Sequence, residues 1–134
     1  MAETFELEIV TPERLVVKDR AEQVQIPGRG GYLGILPGHA PLITELAVGE
    51  ISYTAQGTLT HISVAWGFAE VLPEKVTILA ETAERAEDID VARAEAARER
   101  ALQAIKVADN HDAYEEAALA LARAETRLAV AKEK

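Results

Sequence analysis

Hydrophobic and polar residues alternate in the first part of the chain. Phe5, Leu7 and Ile9 fall on one side of an extended segment, and Glu6 and Glu8 fall on the other. This period of two is the pattern of a half-buried β-strand. Six further segments have strand character and are separated by turn residues: RLVVKD, EQVQIP, GEISYTA, TLTHISVA, GFAEVL and KVTILA. At least seven short strands at this spacing predict a β-sandwich or flattened barrel.

The pattern changes near Ala80. All 8 glycines and all 5 prolines precede that point, whereas residues 81–134 contain neither and have alanine at 17 of 54 positions. Such a segment permits helix throughout its length. The predicted fold class is therefore α+β, with a β-sandwich domain over residues 1–84 and an antiparallel helical hairpin over residues 85–134.

The helical part divides into two predicted helices. Asp88 is the expected N-cap of the first, which spans about residues 90–108 with Asp90 in its first turn. After a polar break, Asp112 and the glutamate three residues later have capping-box spacing and predict a second helix over about residues 112–131. A break this short implies that the helices are antiparallel.

Alanine dominates the predicted seam between these helices. Heptad lettering places on the seam Val91, Ala94, Arg98, Ala101, Ile105 and Ala108 of the first helix, and Tyr114, Ala117, Leu121, Ala124, Leu128 and Ala131 of the second. Each alanine methyl buries little area, at about 25 cal/mol per Å². We therefore expect a marginally stable hairpin whose helices separate or redock readily.

Four arginines fall on one flank of this hairpin. Arg93 and Arg100 of the first helix lie on the side that meets Arg123 and Arg127 of the second, and Asp90 shares that flank. Clustered guanidinium groups repel one another unless anions neutralise them, and phosphates do so through forked hydrogen bonds. The alternative is an ordinary solvated face in which these arginines pair with Glu99, Glu116 and Glu125.

The chain is acidic and lacks cysteine. Lys and Arg total 14 against 23 Asp and Glu, a formal net charge of −9. This balance argues against nucleic-acid binding, which requires a basic surface. Without cysteine, the sequence has no disulfide framework or thiolate metal site. It also has no secretory signal and no apolar run near the roughly 20 residues of a membrane span, so we expect membrane attachment only through partners.

Catalytic and metal motifs are missing as well. The segment Ile26–Thr44 holds five of the eight glycines, but it lacks the Gly-Lys-Ser/Thr sequence of a phosphate loop and is expected to form structured loops between the two faces of the sandwich. The three histidines have no metal-ligand spacing, and no serine lies in a nucleophile elbow. The sequence therefore predicts no catalytic residue and no metal site.

The order of the parts and one dense motif resemble the epsilon subunit of the bacterial F-type ATP synthase. The stretch Val76–Ala94 looks like that family's passage from the last strand into the helices. The family pattern G-x-L-G-I-x-P-G-H-A-P-L is matched in GYLGILPGHAPLIT by Gly31, Gly34, Pro37, Gly38, His39, Ala40, Pro41 and Leu42. The similarity covers essentially the whole chain.

This resemblance implies a non-catalytic rotor subunit of the central stalk. In the family, the sandwich binds the gamma subunit and rests on the ring of c subunits, which helps to couple proton flow to ATP synthesis. By position, Arg29, Gly30, Gly31 and Tyr32 correspond to the loop that faces the c ring. The implied location is the cytoplasmic side of the cell membrane, where the subunit is peripheral and held through the complex.

The family's hairpin either lies folded on the sandwich or extends along gamma, where it restrains ATP hydrolysis. Basic residues of the extended hairpin then face acidic segments of the catalytic alpha and beta subunits. The candidates for that role here are Arg98, Arg100, Arg123 and Arg127.

Some family members bind ATP in the folded hairpin through an I/L-D-x-x-R-A motif. Ile89, Asp90, Arg93 and Ala94 match that motif, and Glu84, Arg100, Arg123 and Arg127 match its accessory positions. The resemblance implies that Asp90 and Glu84 bind adenine or ribose and that the arginines hold phosphates. ATP is then a regulatory ligand, and no cofactor is expected.

Two alternatives stay open at this point. The same rotor subunit can have a purely mechanical inhibitory hairpin that does not respond to nucleotides. The chain can also be an unrelated binding module, such as a carbohydrate-binding or chaperone sandwich with a helical arm.

Overall fold

The computed structural model describes residues 3–133, which form eight strands, a 3₁₀ turn and two helices. The strands are β1 (Phe5–Val10), β2 (Leu15–Ala21), β3 (Gln23–Gly28), β4 (Gly31–Ile35), β5 (Leu42–Leu46), β6 (Gly49–Ala55), β7 (Thr58–Val71) and β8 (Lys75–Arg85). The 3₁₀ turn (Ala86–Asp88), α1 (Val91–Val107) and α2 (His111–Ala131) follow. A sandwich followed by a helical hairpin is the predicted fold class, which is thus confirmed.

The strands form one continuous sheet that folds over into two layers. Along one layer the order is β2-β1-β8-β7-β5, in which β1 and β8 are parallel and the other neighbours antiparallel. In the other layer β6 joins β7 to β3, and β3 pairs with β4. A single pairing between Gly28 of β3 and Leu46 of β5 brings the layers together at one edge.

The alternating apolar residues fill the space between the layers. Phe5, Leu7 and Ile9 of β1 are at most 1% exposed, as the period-two pattern predicts, whereas Glu6 and Glu8 face outward and are partly exposed. The largest fully buried side chains of the other strands complete the core: Val17, Val24, Ile26, Ile35, Ile51, Ile62, Val64, Val71 and Ile78.

The prediction that Ile26–Thr44 forms only loops is wrong, because the segment contributes β4 and β5 to the sheet. β4 returns antiparallel along β3, with Gly28 opposite Gly31, so Arg29 and Gly30 form a two-residue turn. Gly31 has φ of 137°, a backbone conformation that glycine adopts without strain. Three of the five glycines that suggest a loop, Gly28, Gly31 and Gly34, are thus accommodated inside strands by ladder pairing, which local composition does not encode.

The prediction of two separate strands around Ala65–Gly67 is also wrong. β7 is one long strand that stays paired with β8 on both sides of this point. However, its other partner changes there, because β6 pairs with the first half of β7 as far as Val64 and β5 pairs with the second half from Gly67. The turn-like residues therefore mark a bend where the strand passes from one layer to the other.

The helices span nearly the predicted ranges, but both caps differ from the prediction. Asp90, expected in the first turn, is itself the N-cap of α1, and its side chain accepts a hydrogen bond from the amide of Arg93 at 3.1 Å. Asn110, not Asp112, caps α2 by accepting from the amide of Ala113 at 2.8 Å. In both cases the residue with extended backbone directly before the helix takes the cap position.

The hairpin has the expected alanine seam and docks on the sandwich at its end. Ala94 and Ala101 of α1 and Ala117 and Ala124 of α2 are buried, whereas the larger residues predicted on the seam are partly or largely exposed. A small separate cluster anchors the end of α2 against the segment that precedes α1: Ala86, Ile89, Val130 and Ala131. The apolar cluster that anchors the end of α2 thus contains only four residues. Docking of the hairpin therefore depends on a few side chains.

Candidate functional site

A cleft of about 650 Å³ lies between the hairpin and the edge of the sandwich. Its walls come from the end of β8, the start of α1, one residue of α2 and the turn between β1 and β2. The volume is in the range of small-molecule sites. Six of the predicted site residues line it: Glu84, Asp90, Arg93, Ala94, Arg100 and Arg127.

The ion pair between Glu84 and Arg127 connects the two parts of the chain across this cleft. Arg127 Nε of α2 donates to Glu84 Oε1 of β8 at 2.5 Å, and both side chains are about one-third exposed. A charge-assisted hydrogen bond of this kind is stronger than one between neutral groups. The pair therefore helps to hold α2 on the sandwich.

Asp90 and Arg93 are fixed to each other by the start of α1. Asp90 caps the helix and thereby turns one carboxylate oxygen toward the amide of Arg93. Arg93 and Arg100 are exposed, and neither forms an ion pair with a carboxylate of residues 3–133. The guanidinium donors of Arg93, in the first turn of α1, and of Arg100, about two turns further along the helix, are thus available for an anion in the cleft.

Arg123 lies in a second cleft beside the first. This groove of about 550 Å³ runs between α1 and α2 and shares Arg100 and Arg127 with the larger cleft. Alanines form most of its floor, so the small side chains of the seam leave room beside the arginines: Ala97, Ala101, Ala104, Ala108, Ala113, Ala117 and Ala120. Each of the four predicted arginines therefore lines at least one of two neighbouring clefts, and Arg100 and Arg127 line both.

The alternative of an ordinary solvated flank is not what the ion pairs show. Within residues 3–133, Glu99, Glu116 and Glu125 pair with none of the four arginines. Only Arg127 has a carboxylate partner in the described chain, and that partner is Glu84. Arg93, Arg100 and Arg123 thus have no carboxylate partner within ion-pair distance among residues 3–133, although the first cleft is also lined by carboxylates: Glu13, Glu81, Glu84, Asp88 and Asp90.

Two residues of the predicted motif, Ile89 and Ala94, contribute no polar group to the cleft. Ile89 is 5% exposed and packs in the small cluster that holds the end of α2, and Ala94 is 3% exposed on the helix seam. Ile89 therefore positions the start of α1 by burial. Ala94 is a small buried residue of the seam between the two helices.

Sequence analysis missed one wall of the cleft. Thr11, Glu13 and Arg14 in the turn between β1 and β2 line it, and Arg14 Nη2 lies 3.4 Å from Asp88 Oδ2. Nothing in their local pattern indicates this, because they lie more than 70 residues before the helix start. The parallel pairing of β1 with β8 brings the turn after β1 to the end of β8.

The four residues that the resemblance places at the c ring form the tip of the β3–β4 hairpin. Arg29 and Gly30 are in the turn, and Arg29 Nη1 bonds Glu45 Oε2 at 2.5 Å. Gly31 and Tyr32 follow at the start of β4, where the Tyr32 hydroxyl accepts from the amide of Glu50 at 3.0 Å. The tip is exposed but held in shape by these bonds.

An apolar row crosses the outer face of the sandwich. In the ladders, Leu15 is opposite Val10, Val10 is opposite Leu79, and Leu79 is opposite Phe68. Directly opposed residues project from the same face of a sheet. Leu15, Phe68 and Leu79 are each more than half exposed. On β5, Glu45 is opposite Phe68 and ends the row, whereas Ile43, two residues earlier on the same strand, is opposite Glu70 and is 71% exposed. Exposed apolar surface of this kind marks an interaction site.

Residues 3–133 contain no group of three or more His, Asp or Glu side chains placed to hold a metal ion. In the same range, no helix has the length and hydropathy required to cross a membrane.

Comparison with known proteins assigns both parts of the chain to one family. Residues 4–86 match the family described as ATP synthase, Delta/Epsilon chain, beta-sandwich domain. Residues 87–132 match the family described as ATP synthase, Delta/Epsilon chain, long alpha-helix domain. Together these matches cover nearly the whole sequence.

Individual relatives agree with the family matches. An ATP synthase epsilon chain from Koribacter versatilis is 71% identical over 79% of this chain and 75% of its own length. One from Solibacter usitatus is 50% identical over the full length of both chains. Among solved structures, a chain of the Euglena gracilis mitochondrial ATP synthase (OSCP/F1/c-ring) aligns with a TM-score of 0.81 at 22% identity, over 95% of this chain and 81% of that one. At that identity the structural likeness supports the fold.

Proposed function

The chain belongs to the ATP synthase delta/epsilon family, as a non-catalytic epsilon-type subunit, and from that premise we propose that it is a central-stalk rotor subunit of a proton-translocating F-type enzyme. Its sandwich binds the gamma subunit and the ring of c subunits, and so helps to couple proton flow to ATP synthesis. The subunit is peripheral on the cytoplasmic side of the cell membrane and is held there through the complex.

Two surfaces of the sandwich suit these partners. The apolar row of Leu15, Leu79 and Phe68 is the surface for gamma, because burying exposed aliphatic and aromatic side chains drives association. The β3–β4 tip, with Arg29 at its turn, is the surface for the c ring, because it projects from the sandwich as a short exposed turn that its own bonds hold in shape.

We further propose that the folded hairpin binds ATP in the cleft. The observation that carries this proposal is that Arg93, Arg100 and Arg127 line the same cleft as Glu84 and Asp90. The arginines provide forked donors for the phosphates, and the carboxylates accept from the adenine amino group or the ribose hydroxyls.

Binding of ATP at this position stabilises the folded hairpin by mass action. The ligand contacts β8, α1 and α2 together, so it binds the docked state and not the extended one. An ATP concentration of a hundred times the dissociation constant stabilises the docked state by about 2.7 kcal/mol. Low ATP then favours the extended hairpin, in which Arg98, Arg100, Arg123 and Arg127 are available to the catalytic alpha and beta subunits and ATP hydrolysis is inhibited.

Titration calorimetry of the full-length chain with ATP tests the site. We expect Arg93→Ala and Arg100→Ala each to raise the Kd by about tenfold or more, because a hydrogen bond to a charged group contributes about 1.5–3 kcal/mol. Arg98→Ala is the matched control, since Arg98 is an exposed arginine of the same helix that lines neither cleft. An unchanged Kd in Arg93→Ala, or an equal loss in Arg98→Ala, would contradict the proposed site.

In a second candidate function, the chain is the same rotor subunit, but its inhibitory hairpin does not bind a nucleotide. The Glu84–Arg127 bond joins the hairpin to the sandwich through protein groups alone, which favours a mechanical latch set by rotation. The two candidates differ in the response of the isolated chain to millimolar ATP. Chemical-shift changes confined to the cleft support the sensor, whereas their absence supports the latch.

A further inference from the structure

The turn between β1 and β2, residues 11–14, is fixed by its own hydrogen bonds. The amide of Thr11 donates to the carbonyl of Arg14 at 2.9 Å, and the Thr11 hydroxyl donates to the same carbonyl at 3.3 Å. That hydroxyl also accepts from the amides of Glu13 and Arg14, each at 3.3 Å. Pro12 restricts the backbone further, because its ring fixes φ. The backbone of Arg14 is therefore positioned by the turn itself.

This turn lies beside the segment that leads into α1. β1 runs parallel to β8, with Val10 opposite Leu79, so the turn after β1 adjoins the last part of β8. Arg14 Nη2 donates to Asp88 Oδ2 at 3.4 Å, and Asp88 is two residues before Asp90, the N-cap of α1. The sandwich thus supplies an arginine next to the start of α1.

Arg14 is the arginine that the sandwich contributes to the larger cleft. The other three arginines that line this cleft belong to the hairpin: Arg93, Arg100 and Arg127. The hairpin packs against the sandwich mainly through α2, which contacts β6 and β7, whereas four residues of α1 line the cleft. A ligand that binds Arg14 as well as Arg93 therefore joins the start of α1 to the sandwich.

Most of the guanidinium donors of Arg14 are available to such a ligand. A guanidinium group has five N–H donors in a fixed fork. Among residues 3–133, the bond from Nη2 to Asp88 is the one hydrogen bond that the Arg14 guanidinium donates, and the side chain is 53% exposed. An exposed pair of this kind contributes little by itself. The remaining donors can form the forked hydrogen bonds by which arginine binds phosphate.

The charge of the cleft gives Arg14 additional weight. Five carboxylates line it and repel an anion: Glu13, Glu81, Glu84, Asp88 and Asp90. Four arginines oppose them, and without Arg14 the balance is three arginines against five carboxylates. Arg14 therefore favours an anionic ligand both through its hydrogen bonds and by reducing the negative charge around that ligand.

We propose that Arg14 binds the phosphates of ATP from the sandwich, together with the arginines of the hairpin. This inference rests on the proposed nucleotide site and adds to it a residue of a turn that precedes the helix start by more than 70 residues. ATP held by Arg14 and Arg93 bridges the sandwich and α1. Release of the hairpin carries Arg93 away from Arg14, so the complete site exists only in the docked state.

Titration calorimetry of the full-length chain with ATP tests this role. We expect Arg14→Ala to raise the Kd by about five- to tenfold, near the lower end of the range for a hydrogen bond to a charged group, because the side chain is half exposed. Arg14→Lys should recover part of that loss. Arg20→Ala is the matched control, since Arg20 is an exposed arginine of β2 that bonds Thr4 and lines neither cleft. A wild-type Kd in Arg14→Ala, or an equal loss in Arg20→Ala, overturns the inference.

Asp88→Asn separates a direct contact with ATP from an indirect effect. If Arg14 acts only by holding Asp88 and the start of α1, loss of the pair from either side raises the Kd equally. A direct contact predicts that Asp88→Asn leaves the Kd unchanged or lowers it, because the variant removes a carboxylate from the cleft and releases Nη2 of Arg14. An equal rise in Asp88→Asn and Arg14→Ala overturns the direct contact.

The same titrations distinguish failure of this inference from failure of the nucleotide site. If Arg93→Ala weakens ATP binding and Arg14→Ala does not, the site stands and the role of Arg14 is overturned. If the wild-type chain does not bind ATP, the proposed site is overturned and the role of Arg14 with it.

Discussion

At the scale of single residues, Gly67 carries an unusually strict constraint. Its φ is 122°, and a Cβ built on it would lie 1.9 Å from the carbonyl oxygen of Leu79 on β8. Trp66 before it has φ of 59°, a left-handed conformation that is rare for a bulky residue. Together these two residues form the bend at which β7 exchanges β6 for β5. Glycine is therefore required here by backbone approach as well as by conformation.

The first prediction follows from this contact. Gly67→Ala should lower the free energy of unfolding of the sandwich by about 2–4 kcal/mol, because the methyl group overlaps backbone and the φ is strained. Gly34→Ala is the control, since a Cβ there meets nothing within 4 Å and the φ is not positive. Scanning calorimetry of both variants measures the difference. Equal transition temperatures for the two variants would contradict the constraint.

The four arginines on the flank of the hairpin also differ from one another at the residue scale, because only some of their guanidinium groups have a carboxylate partner. Arg127 already pairs with Glu84, whereas Arg93 and Arg100 have no carboxylate partner in the described chain. Loss of Arg127 therefore changes both docking and any ligand contact. Under the proposed ATP binding, loss of Arg93 or Arg100 removes a ligand contact without breaking an ion pair, which is why those two positions give the cleaner test of the cleft.

At the scale of elements, the two helices begin at residues that local pattern did not identify. Asp88 and Asp112 have the composition of caps, but Asp90 and Asn110 accept the first amide hydrogen bonds. Asp88, the N-cap that the sequence predicts, instead pairs with Arg14 of the distant β1–β2 turn. Asp112 lies inside the first turn of α2, where the helix dipole stabilises its negative charge.

The second prediction concerns the cap of α2. Asn110→Ala should destabilise the hairpin by about 1 kcal/mol, because the amide of Ala113 loses its acceptor. Asp112→Ala should cost only a few tenths of a kcal/mol, the size of a dipole contribution. Helical circular dichroism during urea unfolding measures both. A larger loss in Asp112→Ala than in Asn110→Ala would restore Asp112 as the cap.

At the scale of the whole molecule, the hairpin and the apolar row occupy different parts of the surface of the sandwich. The hairpin docks where α2 meets β6 and β7, near His61 and Glu84. The apolar row lies on the outer face formed by β2, β1, β8 and β7. The row adjoins the cleft beneath the hairpin, because Arg14 and Glu81 line that cleft and lie one residue from Leu15 and two residues from Leu79.

The third prediction tests that surface as the gamma contact. Phe68→Glu and Leu79→Glu should each abolish co-purification with gamma while leaving the fold intact, because both side chains are more than half exposed on the subunit alone. Leu59→Glu is the control, since Leu59 is 55% exposed at the start of β7 but lies outside the row. Retention of gamma by Phe68→Glu, or its loss in Leu59→Glu, would assign gamma to another surface.

The sequence by itself determined the secondary structure of most of this chain. The alternation of Phe5, Leu7 and Ile9, and the alanine-rich seam of the helices, predict structure correctly because such periodicity is a local property of the residues that form each element. The shared flank of the four arginines also followed from helical spacing. Helix pairing across a short turn is nearly local, since the two helices are adjacent in the chain.

Only the tertiary structure decided the contacts between distant segments. It placed Arg14 against Asp88, Glu133 against His61, and the glycine-rich segment as β4 and β5 inside the sheet. Those contacts depend on the path of the chain, above all on the parallel pairing of β1 with β8 and on the bend of β7 at Gly67. Local pattern does not encode such a path, because each ladder is selected by the burial of the whole core.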